Sequence, residues 1–309
     1  MRIGVKSRWS LLAQGVLCLV LTNRASAQLN TPLDAPEMLR TEAGTNTVER
    51  TTRDAWVPPD IDAVHPSVTD KTTCALRDVI SKAGMRVQEF VDNLNRLSAM
   101  ETIQIQTVSH SNTLRRPEIQ HFEYVVSARR EANGNAYLEE YRGRSMDRMP
   151  EPSSDHVAVS GASSPLLIFH PYHAKDFEMT CEGLGTWHGR PAWQVRFQEQ
   201  SNHMHGLMIN DKQYLLTVRG RAWILADSYQ VGRVETDLVN SIPEIHLRLQ
   251  HEVIEYSPKT FPGRNVEIWV PSSSELYMDF RGHRFYRRHS YTDFQLFSVE
   301  VRQEFGQVR

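Results

Sequence analysis

Residues 220–300 alternate between apolar and polar side chains with a period of two, and few folds accommodate that pattern over so long a stretch. Val234, Thr236 and Leu238 interleave with Arg233, Glu235 and Asp237. The beat returns at Ile245, Leu247 and Leu249, at Val266, Ile268 and Val270, at Leu276, Met278 and Phe280, and at Phe297, Val299 and Val301. Successive side chains on a strand point to opposite faces, so the stretch predicts antiparallel strands with one greasy face and one charged face. The greasy face needs a cover.

The best cover in the sequence is a helix over residues 73–98. Leu76, Val79, Ile80, Ala83, Val87, Phe90, Val91, Leu94 and Leu97 share one stripe at three-and-four spacing. Arg77, Asp78, Lys82, Arg86, Glu89, Asp92 and Arg96 take the other side, and Thr72 or Thr73 can cap the start. At the α-helical rise this is about 40 Å, long enough to cross a whole sheet.

Other elements follow from local patterns. Strands are expected at 102–108 and 121–129, and Asn133-Gly134 marks a hairpin into 137–141. Residues 146–162 and 200–212 read as loops, and 177–181 with 192–199 as a further hairpin. Ser164-Pro165 opens a short apolar helix through Leu167 and Phe169. Residues 28–71 read as a disordered or extended tail in which Trp56-Val57-Pro58-Pro59 can dock, followed by one α+β domain over 72–309.

The first residues suggest export. Arg2, Lys6 and Arg8, an apolar run at 11–21 and Ala25-Ser26-Ala27 have the layout of a signal peptide cleaved between Ala27 and Gln28. The run falls short of the roughly 20 apolar residues of a membrane span, and no later stretch approaches that length. Cys18 lacks the residue order of a lipoprotein signal. The expectation is a periplasmic or secreted protein with no transmembrane segment in its mature chain. The leader holds four of the 35 basic residues and no acid, leaving 31 against 37 acidic, a net charge of −6. That balance argues against a nucleic-acid partner. Cys74 and Cys181 remain after cleavage, and an oxidising compartment favours a disulfide between them over two buried free thiols.

Motifs for chemistry are weak. His251-Glu252-Val253-Ile254-Glu255 approaches the zinc-protease pattern, but its last position is Glu and the segment alternates as a strand, whereas the motif needs a helix. His170 with His173, and His203 with His205, lack a third ligand placed by sequence. Gly183-Leu184-Gly185 reads as a turn, and residues 160–164 do not match a nucleophile elbow. Arg284, Arg287 and Arg288 with His283 and His289 form a basic run beside Phe285, Tyr286 and Tyr291. It reads as a solvated strand face, with an anionic-lipid or nucleic-acid patch as the alternative. No cofactor or metal is expected.

The order of elements resembles the LolA/LolB-like family of exported half-barrel proteins. The helix at 76–97, the strand Gly220-Arg221-Ala222-Trp223-Ile224, its return Gly232-Arg233-Val234-Glu235 and the later Val266-Glu267-Ile268-Trp269-Val270-Pro271 carry the resemblance. Trp223, Asp227 and Arg233 sit at places that match a hairpin typical of the group. A branch of bacterial exported proteins shares the helix-borne Cys and a Phe-x-x-x-Cys-Glu-Gly segment, here residues 177–183. The resemblance implies a strongly curved antiparallel sheet, a half-open barrel, wrapped on the helix, with binding of acyl chains, lipoproteins or envelope partners and no chemistry.

The resulting expectation is a non-catalytic binder or carrier of an apolar small molecule or lipidated protein. Trp223, Leu247, Leu249, Ile268, Trp269, Met278 and Phe280, with Leu167 and Phe169 at the mouth, are the candidate ligand contacts. Two alternatives belong to other classes. One is an envelope hydrolase whose catalytic groups meet only in the fold; the other is a structural interaction module with a filled core.

Overall fold

The computed structural model describes residues 55–63, 66–69, 72–94, 96–143, 157–158, 161–200, 205–209, 212–261 and 266–297. The expected leader and its cleavage position lie outside the described residues, as do most of 144–160, His203 and the alternation at Val299 and Val301. Among the described residues one α-helix, α1 (Leu76–Asn93), is followed by strands β1 (Arg96–Thr107), β2 (Glu118–Arg130), β3 (Ala136–Arg142) and β4 (Val157–Ala158). A 3-10 helix, Ser164–Phe169, leads into β5 (Phe177–Trp187), β6 (Arg190–Glu199), β7 (His205–Ile209) and β8 (Lys212–Leu216). The C-terminal half continues as β9 (Val218–Leu225), β10 (Val231–Leu238), β11 (Leu247–Phe261), β12 (Val266–Phe280) and β13 (His283–Phe297).

Ten strands form one antiparallel sheet in the order β3-β2-β1-β13-β12-β11-β10-β9-β6-β5. The period-two stretch becomes β9 to β13, with Ile245 left outside in a 3-10 turn before β11. Two tight hairpins set the register. His188-Gly189 joins β5 to β6 and Arg281-Gly282 joins β12 to β13, each pair with positive φ at both residues, the twist that strand pairs favour. β4, β7 and β8 make a separate three-stranded sheet. Residues 205–209, expected in a loop, thus form a strand. Leu207 is fully buried there, and pairing with β8 supplies what five residues of local pattern do not.

The ten-stranded sheet is curved and open. β3 and β6 stand eight places apart in the strand order, which in a flat sheet would separate them by roughly 38 Å. Both touch the same 3-10 helix, which at its usual rise is only about 12 Å long. Glu140 of β3 accepts a hydrogen bond from the Ser164 amide at 2.8 Å, and the Phe169 ring meets that of Phe197 of β6 edge-on at 6.1 Å. A flat sheet cannot meet both ends. The strands therefore roll around the 164–169 segment, whose Leu166, Leu167, Ile168 and Phe169 are all buried.

This changes the role expected of α1. The helix has 18 residues and ends at Asn93, short of the predicted 73–98. Leu97, predicted on its apolar stripe, opens β1 instead, opposite Val126 of β2 and Leu296 of β13. Two flanking strands bind those backbone groups, which outweighs the small differences in helix propensity. Val79, Ala83, Val87, Phe90 and Val91 are buried, but the 3-10 helix, not α1, fills the centre of the rolled sheet. α1 is anchored around it: Arg86 Nε donates to the Ser228 carbonyl (3.0 Å), Arg130 of β2 donates to the Val91 carbonyl, and Cys74 is bonded to Cys181 of β5.

Residues 55–63 lie across the outer face. Trp56 Nε1 donates to the Phe285 carbonyl (3.2 Å), the Ile61 amide donates to Asp237 Oδ2 (3.4 Å), and Arg221 donates to the Ile61 carbonyl (3.2 Å). Ile61 is only 1% exposed, so this extended part of the tail packs closely on the sheet.

The Cys74–Cys181 bridge closes a loop across 107 positions. On the chain-entropy account such a cross-link is worth about 4 to 5 kcal/mol. The double variant Cys74→Ser, Cys181→Ser should lose on that order of stability in urea unfolding, and an unchanged midpoint would contradict it.

Candidate functional site

Register identifies the inner face of the sheet. The Tyr256 hydroxyl donates to the Ala162 carbonyl at 2.9 Å, so Tyr256 points toward the buried segment. By alternation Ile254, Glu252 and Gln250 of β11 point the same way. Their cross-strand partners Ser274, Leu276 and Met278 share that face, and from them it passes to His289, Arg287 and Phe285 of β13. On β1 and β2 it continues through Ile103, Ile105 and Gln120. Charged residues therefore stand inside the roll as well as outside it. The basic run at 283–289 splits: Arg287 and His289 face inward, Arg284 and Arg288 outward. His251 and Glu252 likewise point to opposite faces, with His251 Nδ1 bonded to Asp237 Oδ1 at 2.6 Å on the outer one.

The two ends of the 161–171 segment, buried up to His170 except at Ser164, line different cavities. The larger, about 480 Å³, lies between α1 and the start of β5. Leu76, Ile80, Gly84, Met85, Phe169, Pro171, Ala174, Phe177 and Met179 line it, and among the described residues Arg77 and Ser81 are its polar side chains. Gly84 permits the close approach of helix and segment, because a Cβ there would come within 2.9 Å of the Phe169 carbonyl oxygen. Met85 is 54% exposed at the rim, so the groove opens to solvent along the helix.

The smaller cavity, about 180 Å³, sits on the inner face beyond Ala162. Ile103, Ile105, Phe122, Leu276 and Tyr291 supply its apolar wall, and Gln120, Arg142, Glu252, Ser274, Arg287 and His289 its polar one. Arg142 forks onto Glu101, with Nε to Oε2 at 2.6 Å and Nη2 to Oε1 at 2.9 Å. His289 Nδ1 lies 2.7 Å from Glu101 Oε1. Burial opposes ionisation of Glu101, but the hydrogen bonds from His289 and Arg142 prevail and hold its carboxyl at about 2. Burial lowers the His289 imidazole against the pull of Glu101, so the ring is neutral and donates from Nδ1. Ser274 stands directly across from His289 on the neighbouring strand.

Glu252 is the contrasting carboxyl. Burial pushes it up to about 8, the Glu140 charge adds to the rise, and Arg142 opposes it. Glu140 itself accepts from the Ser163 and Ser164 amides (3.1 and 2.8 Å), the Ser164 hydroxyl and the Tyr124 hydroxyl.

The nine residues expected to touch a ligand are scattered by this geometry. Phe169 lines the large groove. Ile268 and Trp269 line a 130 Å³ cleft beside Phe90 of α1. Leu167, Leu247 and Met278 are packed in the core, and Phe280 is half-buried against it. Trp223 and Leu249 pair with Arg233 and Asp279 on the outer face, where the Arg233 guanidinium lies 5.1 Å from the Trp223 ring centre. The residues missed were the groove wall on β5 and the inward-pointing charges. Met179 and Phe177 do alternate with Glu178, and Arg287 alternates with Arg288, but alternation alone does not say which face is inside.

Glu252 keeps its proton in the folded chain up to about pH 8, whereas the unfolded chain releases it near its ordinary 4.5. The folded state then binds more protons between those values, so its stability falls as pH rises through that window and levels off above it. Glu252→Gln should match the native protein at pH 4 and exceed it by on the order of 4 kcal/mol at pH 8. Urea unfolding at pH 4, 6 and 8 measures the difference; parallel curves for the two proteins would contradict the assignment.

No protein-family model and no curated protein matches the chain. Among solved structures it is similar to a LolA superfamily protein from Nitrosomonas europaea, at 11% identity and a TM-score of 0.36, over 74% of this chain and 96% of that one. A DUF1329 family protein from Desulfovibrio piger matches at 9% identity and 0.37, over 72% and 94%. An outer membrane lipoprotein-sorting protein domain from Vibrio parahaemolyticus matches at 8% and 0.40, over 75% and 97%. The LolA-like group named by the sequence resemblance thus recurs among the structural neighbours, while similarity at this level assigns no ligand.

Proposed function

We propose that the chain is an exported, non-catalytic carrier whose half-open barrel holds a single apolar chain, the acyl tail of a lipid or of a lipidated protein, in the groove beneath α1. The observation that carries this reading is the groove itself. Its volume of about 480 Å³ falls within the 300–1,000 Å³ typical of small-ligand sites, and such sites are mostly apolar with a few placed polar groups. Arg77, exposed at the rim and without an ion pair among the described residues, suits a negatively charged head. Phe169 forms part of the wall, with Leu167 beside it in the core. Export rests on the basic, apolar and small-residue order of residues 2–27. No helix among the described residues is long and apolar enough to cross a membrane.

A fluorescent fatty-acid analogue should bind the purified protein with 1:1 stoichiometry. Met85→Glu, at a solvent-exposed position on the rim, should weaken it at least tenfold without shifting the melting temperature. A protein that neither binds the analogue nor carries lipid in native mass spectrometry would rule the reading out.

A further inference from the structure

The pocket beyond Ala162 has a chemistry that an acyl carrier does not call on. Arg287 points into it from β13, its Nε buried with no hydrogen-bond partner, and no ion pair engages its guanidinium among the described residues. The other charges around the pocket are already matched. Glu101 is committed to Arg142 and His289, and Glu140 to the amides and hydroxyl at the start of the 3-10 helix and to Tyr124. Glu252 lines the pocket from β11, across Leu276 of β12 from Arg287, and no hydrogen bond to its carboxyl is found among the described residues.

The two unmatched groups respond to burial differently. A carboxyl can shed its charge by taking up a proton, and Glu252 does so at neutral pH. A guanidinium keeps its charge. Among the side chains that line the pocket this leaves the Arg287 guanidinium, a forked donor, and a carboxylic O–H facing about 180 Å³ of open space. An oxyanion fits that set, since the guanidinium donates in a plane to two oxygens.

We propose that this pocket is a second binding site, distinct from the groove under α1, that takes a small anionic group, a carboxylate or a phosphate, on Arg287 and Glu252. Arg287 supplies the charge and Glu252 donates a hydrogen bond. Ser274, across the strand pair from His289, offers a further hydroxyl, and Ile103 and Leu276 limit the ligand to a short apolar portion.

Isothermal titration at pH 7 with butyrate, inorganic phosphate and 1-butanol tests it, because none of these has a tail that would fill the groove. Butyrate or phosphate should bind with 1-butanol at least tenfold weaker, and the tighter of the two anions identifies the natural head group. Arg287→Gln should reduce anion affinity at least tenfold, and Arg287→Lys should recover part of it. Ile105→Trp, directly across from Arg287 on β1, narrows the pocket while leaving the guanidinium in the chain; it should also block binding and serves if Arg287→Gln does not fold. Met85→Glu should leave anion binding unchanged, so loss of the groove reading and loss of this one are separable. Equal binding of 1-butanol, or anion affinity indifferent to Arg287→Gln and Ile105→Trp, would overturn the proposal.

Discussion

The fold depends on a single carboxylate, Glu140, placed on the edge strand β3 and turned inward. It gathers four donors from two places, the Ser163 and Ser164 amides and the Ser164 hydroxyl at the head of the 3-10 helix, and the Tyr124 hydroxyl on β2. Hydrogen bonds to an ionised group are worth about 1.5–3 kcal/mol each, more than neutral ones. The arrangement ties the first strand of the sheet to a segment whose far end reaches β6 through Phe169 and Phe197. Gly161 makes room for it, because a Cβ there would overlap Glu140 Oε2 at 1.9 Å. With the contact of His173 Nε2 to the Ala136 carbonyl of β3 (2.7 Å), this tie brings β3 and β6 to a common centre.

Both cavities follow from that centre. A six-residue 3-10 helix is too short to fill a roll of ten strands, so space remains at either end of it. The end toward α1 is closed by apolar side chains and becomes a groove. At the other end the inner faces of β1, β11 and β13 bring Glu101, Glu252, Arg287 and His289 together. Burying charge is costly unless it is paired, and removing one member of a buried pair costs about 3–5 kcal/mol. The charges in this pocket meet that cost in different ways: Glu101 pairs with Arg142, Glu252 keeps its proton, and the Arg287 guanidinium rests 4.7 Å from the Phe285 ring centre with no ion pair among the described residues.

Much of the sheet could be read from the sequence, because stretches of β12 repeat an apolar residue at every second position, from Val266 to Val270 and from Leu276 to Phe280, and Val234, Thr236 and Leu238 of β10 keep the same beat. The Cys74–Cys181 bridge was legible from compartment and count alone. What could not be read was depth. Leu97 fits a helical stripe as well as a strand, and only pairing with β2 and β13 decides. Trp223 reads as greasy whichever face it takes, and the structure places it under Arg233 on the outside. Arg287 and Arg288 are neighbours of identical chemistry with opposite fates, since the direction of curvature is set by Glu140 and residues 161–170, remote in sequence from both.

Amide hydrogen exchange across residues 164–170 tests the central claim most directly. If the ten-stranded sheet is rolled around this segment, the Leu166 and His170 amides, bonded to the Ser163 and Leu167 carbonyls, should exchange only through global unfolding. They would then show the same protection as the central amides of β11 and the same dependence on denaturant. Exchange of 164–170 within seconds, at loop rates while β11 stays protected, would show that the segment lies at the surface and that the sheet is organised around something else.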